Sequence, residues 1–486
     1  MIKSLFKDTF VYGLSAILSR GLALLVLPIY TRVLSPADYG ALDMIMVASS
    51  LATLVIALEV AQAVARFYAE AESGQARRMM ASTAFWFTLG AYGAALALAL
   101  LASQPLSRLL LGAGMETSFR IGAAYIAATG VFYLMQNQLR FELRSGAYAV
   151  ISLVYAVTTI GFGVLLGYQF DLGLQGILAA QLIAAILSIG TGLYLLRDSY
   201  GLAFNASLLK EMLAFSLPLV PSGLATFLTL YANRLLLNAI IGLEAVGLFG
   251  VATRIASAVA LLIVGLQSAL TPLIYAHYRE PETPAHLARI VEGFVFVAFG
   301  CCLVLGLFAW EILTVFAEPR YLPAAALIMA LAPATLLGQM YIFFPGIAIA
   351  RKTHHQLVIF VITAIGSLGA NWLLIGAFGL AGAVVATLLS AMLFIGLWIW
   401  ASQRLYPLPV RWMRMALICL LFAGAGASGL AIYEAGLPPL VSSLSRLALL
   451  AVFTVAGLAA GLIPLGRLRD LANRARHRMR SARSAN

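Results

Sequence analysis

Two arginines stand deep inside apolar runs of this chain, where an ionised side chain needs an anion or water beside it. Arg20 lies about ten residues into the run 10–34, and Arg254 about nine residues into the run 245–275. At a helical rise of ~1.5 Å per residue each reaches roughly 15 Å, near a bilayer midplane, and the two enter from opposite sides. Arginine does not escape burial by losing its proton, and one at a helix centre costs about 2.5 to 3.5 kcal/mol on the lenient insertion scale. The pair therefore points to a polar cavity or an anionic substrate. The plainer alternative is that each guanidinium ties down carbonyls at a helix break.

Ser222, Thr226, Thr229 and Asn233 are spaced 4, 3 and 4, which draws one polar stripe along a helix. Arg234 stands beside it near the outer end, and Pro218 and Pro221 open the same run, where they loosen or kink it. Such a stripe lines a pore or serves as helix–helix glue. Ser257, Ser268 and Thr271 share the face of Arg254 and extend the track. Glu59, Gln62 and Arg66, spaced 3 and 4, fall on one face of the second run. Glu59 reads as the one carboxylate well inside the hydrocarbon segments of the N-terminal half. It is either an ion-coupling group, with Arg66 beside it, or simply the salt-bridge partner of Arg66.

The elements that must position these groups are membrane spans. Hydrophobic residues make up 62% of the 486 and charged ones 10%, where a soluble domain carries about 25% charged; mean hydropathy is +0.97. Runs near the ~20 residues that cross a bilayer fall at 10–34, 41–66, 79–102, 120–138, 147–168, 174–196, 213–237, 245–275, 290–316, 322–349, 356–376, 380–402, 412–433 and 444–466. Their length and continuity argue for helices over strands. Of the 31 Lys and Arg, 23 fall in loops on the side of the N-terminus when the runs are counted as crossings, and only Arg108, Arg120, Arg320 and Arg446 on the other. The positive-inside rule then puts both termini in the cytoplasm. The net charge of +12 is thereby topology and needs no nucleic acid. The basic tail 467–486 is expected to lie on anionic headgroups of the phospholipid membrane.

The chain also repeats itself. GLQGILAAQLIAA from Gly173 and GLAGAVVATLLSA from Gly379 stand 206 apart; DYGAL from Asp38 and AVGLF from Ala245 stand 207 apart; Arg144 to Val150 and Lys352 to Val358 stand 208 apart. A constant offset is the mark of a duplicated half. The expected fold is an all-α polytopic membrane protein of about 14 transmembrane helices. Two six-helix lobes, 1–200 and 201–405, rock around a central site; two more helices lie in 406–466.

Several functions are excluded. The loops are too short for a soluble catalytic domain and no Walker A motif is present. The five histidines fall in loops or the tail, and Cys301, Cys302 and Cys419 sit inside spans without metal-ligand spacing, so neither metal site nor disulfide is expected. A membrane glycosyltransferase or polymerase would need acidic outward loops, and here those loops are stubs.

The stretch from Tyr12 to Gly40, with P-x-Y-T-R-x-L-S-P-x-D-Y-G at Pro28 to Gly40, resembles the opening of Wzx-type polysaccharide flippases, and Leu217 to Ala256 resembles their seventh and eighth helices. These belong to the multidrug/oligosaccharidyl-lipid/polysaccharide exporter superfamily. The resemblance covers about the first 400 residues. It implies a V of two lobes, no enzymatic activity, and transport of an undecaprenyl-diphosphate-linked oligosaccharide across the bacterial inner membrane for surface polysaccharides such as lipopolysaccharide or exopolysaccharide. It also implies cavity-facing arginines in the first and eighth helices, which Arg20 and Arg254 match. One departure is Asn233 before Arg234, where many relatives carry Asp, which removes a titratable group.

The expectation is thus a flippase in which Arg20 and Arg254 hold the diphosphate while Ser222, Thr226, Thr229, Asn233, Arg234 and Ser257 face the sugar. No cofactor is expected; energy would come from a proton, a sodium ion or the membrane potential, and the glycan polymerase machinery is the expected protein partner. The rivals are a lipid II flippase and a multidrug or cation antiporter of the same fold.

Overall fold

The computed structural model describes residues 26–436 and 438–461. Among them every regular element is helical. The principal helices are α1 (Pro36–Val55), α2 (Val60–Glu70), α3 (Gly74–Leu101), α4 (Ser103–Leu110), α5 (Glu116–Phe141), α6 (Ser145–Phe162), α7 (Gly173–Leu195), α8 (Ala206–Ser216) and α9 (Val220–Ile240). They continue as α10 (Leu243–Ala256), α11 (Ala260–His277), α12 (Thr283–Leu307), α13 (Ala309–Phe316), α14 (Ala325–Leu337), α15 (Thr353–Leu405), α16 (Trp412–Glu434) and α17 (Pro439–Ala459).

Twelve helical segments among the described residues are long and apolar enough to cross a membrane. One of them, α15, has 53 residues, roughly 80 Å at the helical rise against a hydrocarbon core of about 30 Å. It is two crossings divided at Gly379, whose φ of 59° and ψ of −133° break the helix. Residues 26–33 are the helical end of the run that begins at 10. Arg20 and the tail 467–486 lie outside the described residues.

Several expected spans are not continuous. The run 41–66 breaks after Val55, because Leu58 and Glu59 adopt left-handed conformations with φ of 49° and 55°. The run 245–275 is interrupted by a 3-10 turn at Ser257–Val259 between α10 and α11. Pro218 does what its position predicts: a 3-10 turn at Leu217–Leu219 separates α8 from α9.

Each sequence echo proves to be one structural device used twice. Gly173 (φ 52°) and Gly379 (φ 59°) both open the last helix of their half in a backbone conformation that favours glycine. Three residues on, a Cβ at Gly176 would strike the carbonyl of Leu166, and one at Gly382 the carbonyl of Leu374, so the motif is a hairpin of two touching backbones. At the other end of the bundle Leu143 and Arg351 both have φ of 55°. They are followed by Arg144 (φ −92°, ψ 65°) and Lys352 (φ −93°, ψ 62°), each immediately before the next helix. The third echo is a contact. A Cβ at Gly40 would collide with the carbonyl of Leu243, and one at Gly247 with that of Pro36; Gly247 and Leu243 stand 207 residues after Gly40 and Pro36. α1 and α10 therefore cross about a local two-fold axis, backbone on backbone.

Elsewhere α7 packs on α5 and α6, α9 on α15, and α16 on α12 and α17. The start of α1 is fixed by a capping box: Ser35 Oγ accepts from Asp38 N, and Asp38 Oδ2 in turn accepts from Ser35 N.

Because a side chain at Gly379 is strained whatever space surrounds it, Gly379→Ala should cost about 1–3 kcal/mol. The checking measurement is thermal unfolding of the purified protein in detergent, where Gly369→Ala, with open space around its Cβ and an ordinary φ, serves as the control expected to be near neutral.

Candidate functional site

The bundle has a basic end, where the loops around 70–74, 141–145, 277–283, 349–353 and 405–412 gather, and an opposite end. The halves are closed against each other at the opposite end. Besides the glycine crossing, Tyr321 Oη donates to the carbonyl of Leu34 at 2.9 Å and Thr31 Oγ1 to that of Phe316 at 3.2 Å. Arg320 donates to the carbonyls of Thr31 and Arg32 at 3.2 and 3.1 Å. Beneath these, Arg234 Nε donates to Asp43 Oδ2 at 2.8 Å, with both side chains largely buried, 12% and 14% exposed. Asp43 fits because it lies over Gly250, its repeat counterpart, whose Cβ would stand 3.2 Å from Oδ2.

Two cavities lie on either side of this seal. One, of about 340 Å³, is enclosed by α9, α10, α14 and both halves of α15. Thr226, Thr229, Asn233 and Arg234 line it as the spacing predicts, joined by Thr387 and Ser390. The threonine hydroxyls are committed to their own helix, Thr226 Oγ1 donating to Ser222 O (3.1 Å) and Thr229 Oγ1 to Ala225 O (2.9 Å). Asn233 is the pivot: its Nδ2 donates to Thr387 Oγ1 at 3.1 Å and its Oδ1 accepts from Arg234 N at 2.8 Å. Ser222 is not among the lining side chains; its carbonyl merely receives Thr226.

The second cavity, of about 470 Å³, is set among α1, α5, α6 and α7, and Arg254 reaches into it from the other half. The guanidinium lies 5.8 Å above the Tyr39 ring and 3.9 Å from Met46 Sδ, and it has no ion-pair partner among the described residues. Tyr30, Gln136, Ser152, Tyr155 and Gln181 supply hydroxyl, amide and aromatic surface around it. Gln181 Nε2 donates to Tyr30 Oη at 3.1 Å, while Gln181 Oε1 is buried without a protein partner among the described residues. Both cavities have the size of ordinary ligand pockets. Ser257, expected to face the substrate, is among the lining side chains of neither cavity; its hydroxyl donates to the Arg254 carbonyl at 2.6 Å.

The stripe and Arg254 are thus not one track, as the sequence suggested, but belong to separate cavities on two sides of the seal. Nor do Glu59 and Arg66 share a face. The break at Leu58 and Glu59 turns them apart, and Arg66 instead pairs with Glu70 at 3.5 Å in solvent and covers the Phe215 ring. Glu59 is also not the single membrane carboxylate of its half, because Asp43 is another. Asp43 stands in the run 41–66 and was legible there. A further signal lies in the ninth position of the hairpin motif, polar in both copies: Gln181 lines one cavity and Thr387 the other.

The sequence matches the family described as polysaccharide biosynthesis protein over residues 5–277, more than half of the chain. The chain belongs to that family. No curated protein matches it in sequence. In fold it is similar to the lipid II flippase MurJ in an inward closed conformation, with 13% identity, a TM-score of 0.67, and coverage of 93% of this chain and 100% of that one. It is similar also to a multidrug resistance MATE family transporter of the MOP superfamily in its inward-facing conformation (15% identity, TM-score 0.64, 79% and 95% covered). The outward-facing conformation of such a transporter matches with a TM-score of 0.53 at 18% identity, covering 83% and 96%. This polysaccharide biosynthesis protein is a multi-pass membrane protein with a transporter fold.

Breaking a buried ion pair costs more than deleting it, since one orphaned charge remains. Asp43→Asn and Arg234→Gln should each lower stability by about 3 kcal/mol, and the double variant should lose less than the sum. Thermal unfolding of the three variants beside the parent supplies the cycle.

Proposed function

We propose that this protein is a flippase that carries an undecaprenyl-diphosphate-linked oligosaccharide from the cytoplasmic to the periplasmic leaflet of the bacterial inner membrane. The observation that carries the reading is Arg254: a guanidinium without an ion pair among the described residues, projecting from one half into the polar cavity of the other. A diphosphate supplies the missing charge, and guanidinium geometry suits it through bidentate charge-assisted bonds. Tyr155, stacked on Phe132 at 5.1 Å, and the amides of Gln136 and Gln181 offer sugar rings an aromatic face and directed donors. Family membership supports polysaccharide biosynthesis as the setting.

In this reading the basic end faces the cytoplasm, with both termini there, and the sealed end faces the periplasm. The two halves, 1–200 and 201–405, act as rocking lobes, with the helices of 406–466 as an appendage. Separating α1 from α10 and Arg234 from Asp43 exposes the cavities to the periplasm. The polyprenyl chain stays in the bilayer while the head group crosses. Arg20, six residues before the first described residue, is assigned to the same diphosphate as Arg254.

A multidrug antiporter is the less favoured reading: neither of the two cavities beside the seal has a carboxylate among its lining side chains, whereas an organic cation would want one. Arg254→Gln should reduce export of the lipid-linked glycan by about 10- to 100-fold, the worth of a hydrogen bond to a charged group. Arg254→Lys should recover only part of this. Export is read as surface glycan in a flippase-deficient strain, with membrane levels of the protein checked by immunoblot; full export by Arg254→Gln would overturn the assignment.

A further inference from the structure

We infer that the cavity among α9, α10, α14 and α15 is a subsite for an uncharged sugar at the end of the glycan remote from the diphosphate, with Gln339 and the ring of Phe394 as the groups that select it. This rests on the flippase reading and extends it to the cavity that Arg254 does not enter.

The cavity offers no free charge among the described residues. Its one ionised lining side chain, Arg234, is already bound to Asp43 at 2.8 Å, and no carboxylate lines it. A cation would find no anion there, and an anion no cation to spare. The hydroxyls narrow the ligand further. Thr226, Thr229, Thr253, Thr335 and Ser390 each donate to a carbonyl four residues earlier in their own helix, at 2.7 to 3.1 Å. Their protons are spent, so what they present to the cavity is acceptor oxygen. A sugar hydroxyl can donate to such a wall, whereas a carboxylate, which only accepts, is repelled by it. Gln339, at the end of α14, supplies the complement: its carboxamide lines the cavity and makes no side-chain hydrogen bond among the described residues.

The end of the cavity nearer the basic loops is aromatic. Phe360 and Phe394 stack at 5.6 Å with 25° between their planes, and Phe394 is backed by Tyr341 at 6.1 Å and Trp398 at 5.8 Å. Trp398 is itself fixed by its indole N–H, which donates to the Phe344 carbonyl at 3.0 Å. A held ring of this kind presents an electron-rich face to the C–H side of a pyranose. The volume of about 340 Å³ has room for roughly one or two such rings. Gly338 keeps that room open, since a Cβ there would stand no nearer than 3.6 Å to its neighbours.

One turn of α1 separates this cavity from the one that Arg254 enters. Met46 lines the second cavity and Tyr231 the first. Between them, Ser50 Oγ lies 3.1 Å from the Met46 carbonyl oxygen and 3.3 Å from Tyr231 Oη. Parting that hydroxyl contact lets a head group whose diphosphate rests on Arg254 lay its outer sugar in the first cavity.

The test is export in two flippase-deficient strains whose lipid-linked glycans differ only in the outermost sugar, N-acetylglucosamine in one and glucuronic acid in the other. Export is read as surface glycan, with membrane levels of each variant checked by immunoblot. The parent should export the neutral-ended glycan better by about tenfold or more, because the acidic sugar would bury a carboxylate against acceptors. Gln339→Lys, which adds a cation to the cavity, should move that ratio by about tenfold or more towards the acidic glycan. Gly338→Leu should abolish export of the neutral-ended glycan while its thermal midpoint in detergent stays at the parent value. Equal export of the two glycans by the parent, an unchanged ratio in Gln339→Lys, or full export by Gly338→Leu overturns the subsite. Export by the parent in neither strain overturns the flippase reading, and this inference with it. Arg254→Gln separates the two readings from the other side, since it should depress both glycans by the same factor and leave their ratio unchanged.

Discussion

Hydrocarbon tolerates neither an unanswered charge nor an unpaired backbone group, and the arrangement of this chain follows from where it meets those two demands and where it leaves one open. The backbone demand makes every described span a helix and confines irregular chain to positions packed against other helices, as at residues 56–59 and 257–259. The charge demand pairs Asp43 with Arg234 and Glu292 with Arg411, the latter pair with its carboxylate buried and the guanidinium at 2.7 Å. Arg446, buried near the opposite end, is matched by Glu311 at 2.7 Å and the carbonyl of Leu307 at 2.8 Å. Against that background an Arg254 without an ion pair stands out as a group whose partner comes from elsewhere.

The architecture was readable from the sequence because its signals are long-range and redundant. Fourteen apolar runs, a charge alternation and three echoes at one offset all had to agree, and the two conformations the echoes require, at Gly173 and Gly379 and at Leu143 and Arg351, appear in both halves. The site was readable only in part. Thr226, Thr229, Asn233 and Arg234 share a cavity because α9 is regular over exactly that stretch, so helical spacing holds. Glu59 and Arg66 do not share a face because Leu58 and Glu59 turn left-handed without the glycine or proline that would have announced it. No periodicity argument survives an unmarked break. Asp43 itself stood in an apolar run, but its pairing was hidden: the partner is 191 residues away, and one sequence read by spacing carries no information about such a pair.

The halves kept their hinges and hairpins and lost their common chemistry. At the ninth position of the hairpin motif an amide faces one cavity and a hydroxyl the other. Asp43 and Gly250 show the same divergence at its sharpest, since the glycine in one copy makes room for the carboxylate of the other. Duplication here supplied a frame on which an asymmetric interior could be written.

The crossing of Gly40 and Gly247 has a consequence for how such a chain came to exist. Six crossings separate the two glycines, so both halves run in the same direction through the membrane and are related by rotation about its normal. The contact is then isologous, each partner presenting the same patch to the other. A free-standing ancestral half carrying this glycine would already have closed the contact as a homodimer, where a single substitution struck both sides at once. Fusion into one gene released each side to change alone, and it guaranteed the partner at an effective concentration no pair of separate subunits could match.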